Sequence, residues 1–372
     1  MLENSTLTSI FNVEEEVLRI LEKALMGERI TEDEALYLFN APRDAVLLAG
    51  MVAHRLRERR AGSYVTYVVN RNINFTNICV GSCTFCAFRR RSSEPDAYIL
   101  TPEQVAERAK EAVARGASEV CIQGGLHPEA RLEDYVAILK AVKSVAEIHV
   151  HAFSPMEVYY AAQKSGIGIK ETLRTLKEAG LDSMPGTAAE ILVDEVRAKI
   201  CPAKLTTREW VEIITQAHRL GIPTTATMLY GHVESASDKV EHLRIIREIQ
   251  DSTQGFTEFV PLSFIHYRTS LYASGSSKPG ATGMEDLKVY AISRLYLDNF
   301  RNIQVSWVKL GRKLAQLMLC FGANDFGGTL MEENISRSAG ASNEMMSEAE
   351  IRRLIRDAGF EPRRRDTLYN LI

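Results

Sequence analysis

Three cysteines in the segment NICVGSCTFCAFRR (77–90) have the type and spacing of metal ligands. Cys79, Cys83 and Cys86 form a C-x3-C-x2-C pattern and account for half of the six cysteines in 372 residues. Thiolates are soft ligands that bind zinc, copper(I) and iron–sulfur clusters, and a short loop can bring three of them to one point. The pattern therefore predicts a metal centre with three protein ligands.

Three kinds of site fit such a pattern. A structural zinc site usually has four ligands, often in paired C-x2-C units, and this sequence has no second pair. An electron-transfer cluster of the ferredoxin type needs a fourth cysteine, and none occurs between Cys86 and Cys121. A 4Fe-4S cluster with three protein ligands leaves one iron open to a small molecule, which explains the number three. Zinc and a plain electron carrier remain the alternatives.

The composition argues against several classes of partner. Lys and Arg number 45 against 48 Asp and Glu, so the sequence gives no basic signal for nucleic acid. The first twenty residues lack a basic segment followed by an apolar one, and no apolar run has the length of a membrane span. Cys121, Cys201 and Cys320 lie far apart in apolar contexts, which is typical of reduced cysteines. We expect a cytoplasmic protein without disulfides that binds neither nucleic acid nor membrane.

Alternating helix and strand patterns position the cysteine loop. The segment TPEQVAERAKEAVARG begins with Thr101 as N-cap, has Gln104 in the capping-box position and ends at Gly116, before a short apolar strand. The same helix, glycine and strand order recurs along the chain. Predicted strands lie at 64–70, 120–122, 147–153, 181–184, 225–229, 256–262, 303–307 and 322–325.

Eight strands alternating with helices predict an α/β fold, a (β/α) barrel of the TIM type. We expect an N-terminal helical extension over residues 1–60, the barrel over 61–335 and a C-terminal helical appendix over 336–372. The cysteines follow the first strand, on the carboxyl-terminal face where such barrels build their active sites.

The cysteine pattern, with the aromatic Phe85 directly before the last cysteine, resembles that of the radical S-adenosylmethionine (SAM) enzymes. The resemblance implies a complete or partial (β/α) barrel and a 4Fe-4S cluster bound by Cys79, Cys83 and Cys86. In that family, the amino and carboxylate groups of S-adenosylmethionine chelate the open iron. An electron from the cluster then breaks a C–S bond, which gives methionine and a 5'-deoxyadenosyl radical.

Further segments, spread over nearly the whole chain, are similar to the subunit 2 family of 7,8-didemethyl-8-hydroxy-5-deazariboflavin synthases. They are VVNRNINFTNICVGSCTFCAFRR, EVCIQGGLHP, IHVHAFSPMEV, GLDSMPGTAAEIL, IPTTATMLYGHVE, TEFVPLSFIH, VSWVKLG and GANDFGGTLMEENISRSAGA. This resemblance implies transfer of the 4-hydroxybenzyl group of L-tyrosine to C5 of 5-amino-6-(D-ribitylamino)uracil, with 2-iminoacetate released, on the route to coenzyme F-420. A related radical SAM family of the futalosine route to menaquinone shares much of the barrel and is the alternative.

The resemblance also implies partners. L-Tyrosine and the diaminouracil are the substrates, and subunit 1 of the synthase, a second radical enzyme, closes the ring of the product. An electron donor such as ferredoxin or flavodoxin reduces the cluster.

Cofactor contacts outside the loop are implied by the same family. Its methionine amino group lies against the segment Gln123, Gly124 and Gly125, where glycine also suits a simple turn after a strand. Ser154, just beyond the third strand, and Phe85 in the cysteine loop are further candidates.

Glu190 and Arg197 are seven residues apart, so a helix would place them on one face. The resemblance implies that they hold polar parts of the cofactor, and the planar fork of Arg197 suits a carboxylate. An exposed ion pair on a helix is the alternative.

Substrate and catalytic residues are expected near the ends of later strands. His232 follows the fifth strand and is a candidate for moving protons, although histidines often have a purely structural role. Asn324 and Asp325 are substrate-binding candidates at the eighth strand, where both residue types also suit turns. We expect His149 and His151 not to share one site.

Overall fold

The structure is a computed structural model that describes residues 13–332, 334–341 and 345–372. The strands are β1 (Tyr64–Val68), β2 (Asn70–Asn74), β3 (Glu119–Gln123), β4 (His149–Ala152), β5 (Thr224–Tyr230), β6 (Phe256–Ser263), β7 (Asp325–Gly328) and β8 (Glu361–Arg364). The helices before β5 are α1 (Glu15–Leu25), α2 (Glu32–Asn40), α3 (Arg43–Ala61), α4 (Pro102–Ala114), α5 (Leu132–Val145), α6 (Pro155–Ser165), α7 (Ile169–Glu178), α8 (Asp194–Ile200) and α9 (Thr207–Arg219). Those after β5 are α10 (Ala236–Thr253), α11 (Ser270–Ala273), α12 (Gly283–Tyr296), α13 (Trp307–Leu310), α14 (Arg312–Met318), α15 (Asn334–Ser338) and α16 (Glu348–Asp357).

Parallel strand pairs close into a ring. β2 pairs with β3, β3 with β4, β5 with β6, and β7 with β1, which continues into β2. Short parallel contacts at residues 183–184 and 303–304 supply the remaining two positions between β4 and β5 and between β6 and β7. The helices cover the outside, and apolar side chains from both layers form the core. The predicted (β/α) barrel is therefore confirmed.

The predicted first strand is divided into β1 and β2, and the predicted eighth strand is displaced along the chain. The segment 322–325 was predicted as the eighth strand, whereas β7 begins at Asp325 and contains two glycines. Glycine is depleted in strands, so the pattern DFGG gave no strand signal of its own. The shift moves the predicted substrate residues towards the opposite end of the barrel.

Helices α1 to α3 pack on the outside of the second half of the barrel. Arg247 of α10 donates to Glu32 at 3.0 Å, and the Lys288 ammonium of α12 donates to the carbonyl of Phe39 at 2.7 Å. Residues 1–12 of the predicted N-terminal extension lie outside the described part of the chain, and the three predicted domain limits stay predictions. None of the helices in the described ranges combines the length and apolar character needed to cross a lipid bilayer.

The C-terminal segment closes the floor of the barrel, its amino-terminal end. β8 pairs in parallel with β1, and the buried Arg365 that follows donates two hydrogen bonds to Asp325, at 2.5 and 3.0 Å. The same guanidinium reaches Gln304 at 3.1 Å and Glu258 at 3.4 Å. A helical appendix was predicted here, and the added strand was missed because EPRR is short and charged.

Replacement of Arg365 by Met tests this floor. Two buried carboxylates would lose their cation, and breaking a buried pair in this way costs about 3–5 kcal/mol of unfolding free energy. Arg363→Met is the matched control, because Arg363 is exposed and pairs with the exposed Glu361, and we expect a change within about 0.5 kcal/mol. Urea unfolding followed by circular dichroism measures both, and equal losses would contradict a floor held by Arg365.

Candidate active site

The cysteine loop, residues 75–90, follows β2, which continues β1 at the position of the first strand predicted from the sequence. Hydrogen bonds to two other parts of the barrel hold its backbone. The N–H of Val80 donates to the carbonyl of Leu126 at 3.0 Å, and the N–H of Thr84 donates to that of Ile200 at 2.8 Å. The loop is thus fixed at the carboxyl-terminal face of the barrel.

All three cysteines of the motif line one cavity of about 260 Å³ and are free thiols. A Cβ atom placed on Gly81 would lie 3.2 Å from Cys79 Sγ and 4.0 Å from Cys83 Sγ, so both sulfur atoms lie on the same side of the loop. In residues 13–332, 334–341 and 345–372, no three His, Cys, Asp or Glu side chains are grouped closely enough to hold a metal ion. The fit to an iron–sulfur cluster therefore rests on the shared cavity and on the thiol chemistry.

Gly125, just beyond β3, packs closely against the backbone of the cysteine loop. A Cβ atom at this position would lie 2.3 Å from the carbonyl oxygen of Ile78 and 2.9 Å from the Cβ of Cys79. Its N–H donates to the carbonyl of Thr76 at 2.8 Å. The glycine that was expected to admit a ligand thus admits the backbone of the cysteine loop itself.

Glu157 is a buried carboxylate in the cavity wall that sequence analysis missed. Its Oε2 accepts from the N–H and the hydroxyl of Ser154, each at 2.7 Å, and its Oε1 accepts from the N–H of Gly124 at 3.0 Å. Burial raises the pKa of Glu157 to about 7, although these hydrogen bonds oppose the shift. The capping-box spacing of Ser154 and Glu157 was the available signal. The structure brings Ser154, Gly124 and Gln123 together on this cavity.

A half-buried ion pair lies beside the cysteines. The ammonium of Lys204 is 2.5 Å from Glu190 Oε1 and 5.3 Å from the centre of the Phe85 ring. Burial alone would lower the pKa of Lys204, but the neighbouring Glu190 carboxylate is the largest opposing influence, and the pKa of Lys204 is raised. Burial raises the pKa of the Cys83 thiol to about 12, and Lys204 opposes this shift. Glu190 and Phe85 were predicted here, whereas Lys204 belongs to no motif and was missed.

Arg197 does not line this cavity. Its buried guanidinium donates to the carbonyls of Ala188 and Ala189, and to that of Leu205 at 2.9 Å. The prediction that Glu190 and Arg197 share a helix face is wrong, because α8 begins four residues after Glu190, which lies in a turn with φ 46°. Arg197 holds the turn that carries Glu190, and its direct contact with a cofactor stays a prediction.

His232 also lies outside the cavity of the cysteines. Its buried ring donates from Nε2 to the carbonyl of Leu229 at 3.0 Å, and its Nδ1 accepts from the N–H of Val233 at 2.7 Å. Burial lowers the pKa of His232, which keeps the ring neutral. Because the backbone of this turn occupies both ring nitrogens, the structure does not bring His232 to the predicted site.

Asn324 and Asp325 lie at the amino end of β7, on the barrel floor. Asn324 Oδ1 accepts from Arg294 at 2.7 Å, and the Asp325 carboxylate binds Arg365. Their predicted position on the active face is wrong because the strand starts at Asp325 and runs away from the floor. Both side chains therefore hydrogen-bond to arginines of the protein rather than face the active site.

A polar chamber, lined chiefly by inward-facing strand residues, adjoins the cavity inside the barrel. TIM-type barrels usually fill this space with Val, Ile and Leu. Here Asn70, Asn72 and Asn74 of β2 line a space of about 260 Å³ together with Glu119 of β3. Asn74 Oδ1 is buried without a hydrogen-bond partner among the described residues. The alternation in NRNIN was a sequence signal for a polar inner face.

The chamber and the cavity share wall residues, including Gln123 and Lys309, so the two spaces adjoin. A ligand at the cysteines and a second ligand in the chamber would therefore be neighbours. His151 lines the chamber and hydrogen-bonds the same Ser183 hydroxyl as His149. The expectation that the two histidines do not share a site is wrong, since residues two apart on a strand lie on one face.

A barrel with three cysteines after its first strand and a polar interior is the architecture of radical SAM enzymes. The family model of the radical SAM superfamily matches residues 73–246, and that of the CofH/MqnC C-terminal region matches residues 253–372. The protein is thus a radical SAM enzyme, a class that implies an iron–sulfur cluster and S-adenosylmethionine.

The chain belongs to the family of the 5-amino-6-(D-ribitylamino)uracil--L-tyrosine 4-hydroxyphenyl transferases. The protein of that name from Methanothermobacter thermautotrophicus is 54% identical over 364 residues, which cover 97% of this chain and 99% of the relative. The one from Methanocaldococcus jannaschii is 55% identical over 351 residues, 93% of this chain and 98% of the relative. The resemblance seen in the sequence is confirmed, and the futalosine alternative is not favoured.

Two solved structures share the fold. The FeFe-hydrogenase maturase HydG from Carboxydothermus hydrogenoformans has a TM-score of 0.74 at 18% identity, covering 95% of this chain and 81% of its own. Methylornithine synthase (PylB) has a TM-score of 0.73 at 19% identity, covering 92% and 97%. At these identities the likeness concerns the fold alone.

Replacement of Cys79, Cys83 or Cys86 by Ala tests the cluster. We expect each variant to lose iron after anaerobic reconstitution and to form no 5'-deoxyadenosine, because the cluster would lose one of three ligands. Circular dichroism is expected to stay unchanged, since the loop lies outside the strands. Cys320→Ala, which removes a free cysteine absent from the cavity wall, is the control. Full iron content in any one of the three variants would contradict the assignment.

Gly125→Ala tests whether the loop needs close contact with β3. The new Cβ would collide with the Ile78 carbonyl, and such overpacking costs about 1–3 kcal/mol and moves the backbone. We expect a lower iron content and a lower melting temperature. Gly283→Ala is the matched control because its new Cβ would meet no atom within 4 Å. Equal iron contents in the two variants would show that the contact is not needed.

Proposed function

We propose that this enzyme transfers the 4-hydroxybenzyl group of L-tyrosine to C5 of 5-amino-6-(D-ribitylamino)uracil and releases 2-iminoacetate, methionine and 5'-deoxyadenosine. The observation that carries the proposal is the identity above 50% with the named transferases over almost the full length of both chains. The product is a precursor of the deazaflavin chromophore of coenzyme F-420.

We propose that the cavity lined by Cys79, Cys83 and Cys86 holds a 4Fe-4S cluster bound by these three cysteines. A cluster bound there with S-adenosylmethionine would supply the radical chemistry, namely a 5'-deoxyadenosyl radical able to take a hydrogen atom from tyrosine. The edge at Gln123–Gly125 and the hydroxyl of Ser154 would hold the methionine part of that cofactor. Glu190 would bind its polar groups, since Lys204 and the Arg197-braced turn fix the Glu190 carboxylate in the wall.

The polar chamber is proposed to hold the diaminouracil. Its ribityl hydroxyls and ring amines are hydrogen-bond donors, and the chamber offers Asn74 Oδ1 and the carboxylates of Glu119 and Glu258 as acceptors. A buried acceptor without a partner favours a ligand that donates to it. Tyrosine would lie between this chamber and the cysteines, near their shared wall.

The partners follow from the chemistry. The adduct needs a second enzyme, subunit 1 of the synthase, to close its third ring, and the cluster needs a one-electron donor such as ferredoxin or flavodoxin. We place the reaction in the cytoplasm, because an air-sensitive cluster and six free cysteines suit a reducing compartment.

Product analysis tests the function. Reconstituted protein given S-adenosylmethionine, a reductant, tyrosine and the diaminouracil is expected to yield the hydroxybenzyl adduct, 2-iminoacetate and 5'-deoxyadenosine by mass spectrometry. Reactions without tyrosine and reactions with Cys83→Ala are the controls. An enzyme of the futalosine type would leave the diaminouracil unchanged. Anaerobic protein that is colourless, or that forms no 5'-deoxyadenosine, would instead indicate a zinc or iron–sulfur scaffold.

A further inference from the structure

A chain of three side chains runs from the polar chamber towards the barrel floor. His151 lines the chamber, and its Nδ1 is 2.7 Å from Ser183 Oγ. The same hydroxyl is 2.7 Å from Nε2 of His149, the first residue of β4. His151 and Ser183 are buried, whereas His149 is half-buried at the amino-terminal edge of the barrel. These three hydrogen-bonded side chains therefore connect the chamber with the end of the barrel opposite the cysteines.

We propose that His151, Ser183 and His149 form a proton relay, which carries one proton from the diaminouracil to solvent during the transfer reaction. The inference rests on the proposed function. It goes beyond that function because it assigns a route to a proton that the substrates and the cofactor leave unaccounted for.

Charge balance requires this proton. S-adenosylmethionine enters as a sulfonium cation, whereas methionine and 5'-deoxyadenosine carry no net charge. When the C–C bond has formed at C5 of the uracil, the adduct gives up one electron, which replaces the electron that began the reaction, to an acceptor of the iron–sulfur class. It also loses the proton on the nitrogen at C6, and the C6–N bond becomes an imine.

The hydrogen bonds of the proton relay suit transfer without movement of the rings. In one consistent arrangement, His151 Nδ1–H donates to Ser183 Oγ, and the Ser183 hydroxyl donates to His149 Nε2. A proton that reaches the other nitrogen of His151 moves each bonded hydrogen one position along, and a proton leaves from His149 Nδ1. Burial lowers the pKa of His151 to about 4 and also lowers that of His149. Two neutral rings pass a proton on without retaining it.

Charged groups surround both rings. Those near His151 are Glu119 and Arg365, and those near His149 are Glu119, Asp182, Lys143 and Asp366. Glu119 faces both rings, so it favours the positive charge at either end of the proton relay. Two of the three charged groups that face His149 alone are acidic, which favours movement of the proton outward.

Other exits from the chamber are obstructed. The cavity of the cysteines adjoins the chamber on one side, so a bound cofactor would cover it there. On the floor, Arg365 is held by Asp325, and the Tyr369 hydroxyl donates to Glu258. The proton relay offers a path through this floor that needs no opening.

Ser183→Ala tests the proton relay because it removes the shared hydroxyl and keeps both histidines. The reconstituted variant is given S-adenosylmethionine, a reductant, tyrosine and the diaminouracil, and the products are quantified. We expect 5'-deoxyadenosine and 2-iminoacetate to form at close to the wild-type rate. Adduct formed per 5'-deoxyadenosine is expected to fall about tenfold or more, since a positioned acid–base group contributes about 10²–10⁴-fold. Adduct formation in the variant is also expected to show a larger solvent deuterium isotope effect.

Three further variants make the result decisive. Ser183→Thr keeps the hydroxyl and is expected to keep the wild-type product ratio. Ser293→Ala removes another buried hydroxyl, one without a hydrogen-bond partner among the described residues, and is expected to change nothing. If circular dichroism shows that Ser183→Ala does not fold, His149→Leu breaks the outer end of the proton relay and is expected to lower the ratio in its place.

Two outcomes overturn the proton relay. One is an unchanged adduct ratio in the folded variant, and the other is a parallel loss of 5'-deoxyadenosine and adduct, which a merely structural hydroxyl would cause. A wild-type protein that makes no adduct at all contradicts the proposed function instead, so the two failures are distinguishable.

Discussion

The contact between the cysteine loop and Gly125 determines where the rest of the active site must lie. The parallel hydrogen bonding of β2 and β3 continues past the strand ends, from Phe75 N–H to the Gln123 carbonyl at 3.3 Å and from Gly125 N–H to the Thr76 carbonyl at 2.8 Å. The cysteine loop is therefore an extension of the sheet, with backbone atoms packed too closely for a Cβ. A site built on a strand in this way is more precise than one on a free loop. The cavity, its buried acids and the chamber all take their positions from this edge.

Buried charge around the sulfur atoms follows from the same placement. A charge inside a protein is tolerated when it is paired or hydrogen-bonded. Lys204 has Glu190, Glu157 has the three donors of Ser154 and Gly124, and Arg197 has backbone carbonyls. The positive charge of Lys204 opposes the rise in the pKa of the Cys83 thiol, so it would balance part of the negative charge that thiolate ligands would bring. Arg197 contributes indirectly, because its hydrogen bonds to backbone carbonyls hold the turn from which Glu190 projects.

The sequence predicted the parts of this site that are local in the chain. Short sequence patterns can be recognised without knowledge of tertiary contacts. The cysteine spacing, the glycines after β3 and the helix cap at Ser154 are patterns of this kind. Lys204 lies fourteen residues after Glu190 in the chain, and the two meet through the tertiary fold, with Glu190 in a turn of positive φ. The predicted position of Asn324 is wrong for a related reason. A shift of three residues along a strand moves a side chain from the active face of the barrel to its floor. β8 was missed because its pairing with β1, not its composition, makes it a strand.

The polar chamber explains why the floor of the barrel is so heavily bonded. A barrel interior filled with Val, Ile and Leu contributes apolar burial, and asparagines that face an open space do not. Polar contacts below the chamber stabilise the barrel in place of that apolar burial. There Arg365 binds Asp325 of β7, Glu258 of β6 and Gln304 of the segment between these two strands. The C-terminal segment therefore has two connected roles. It closes the barrel that the polar interior would otherwise leave weakly packed, and it seals one end of the chamber, which would shield the proposed transfer reaction from solvent.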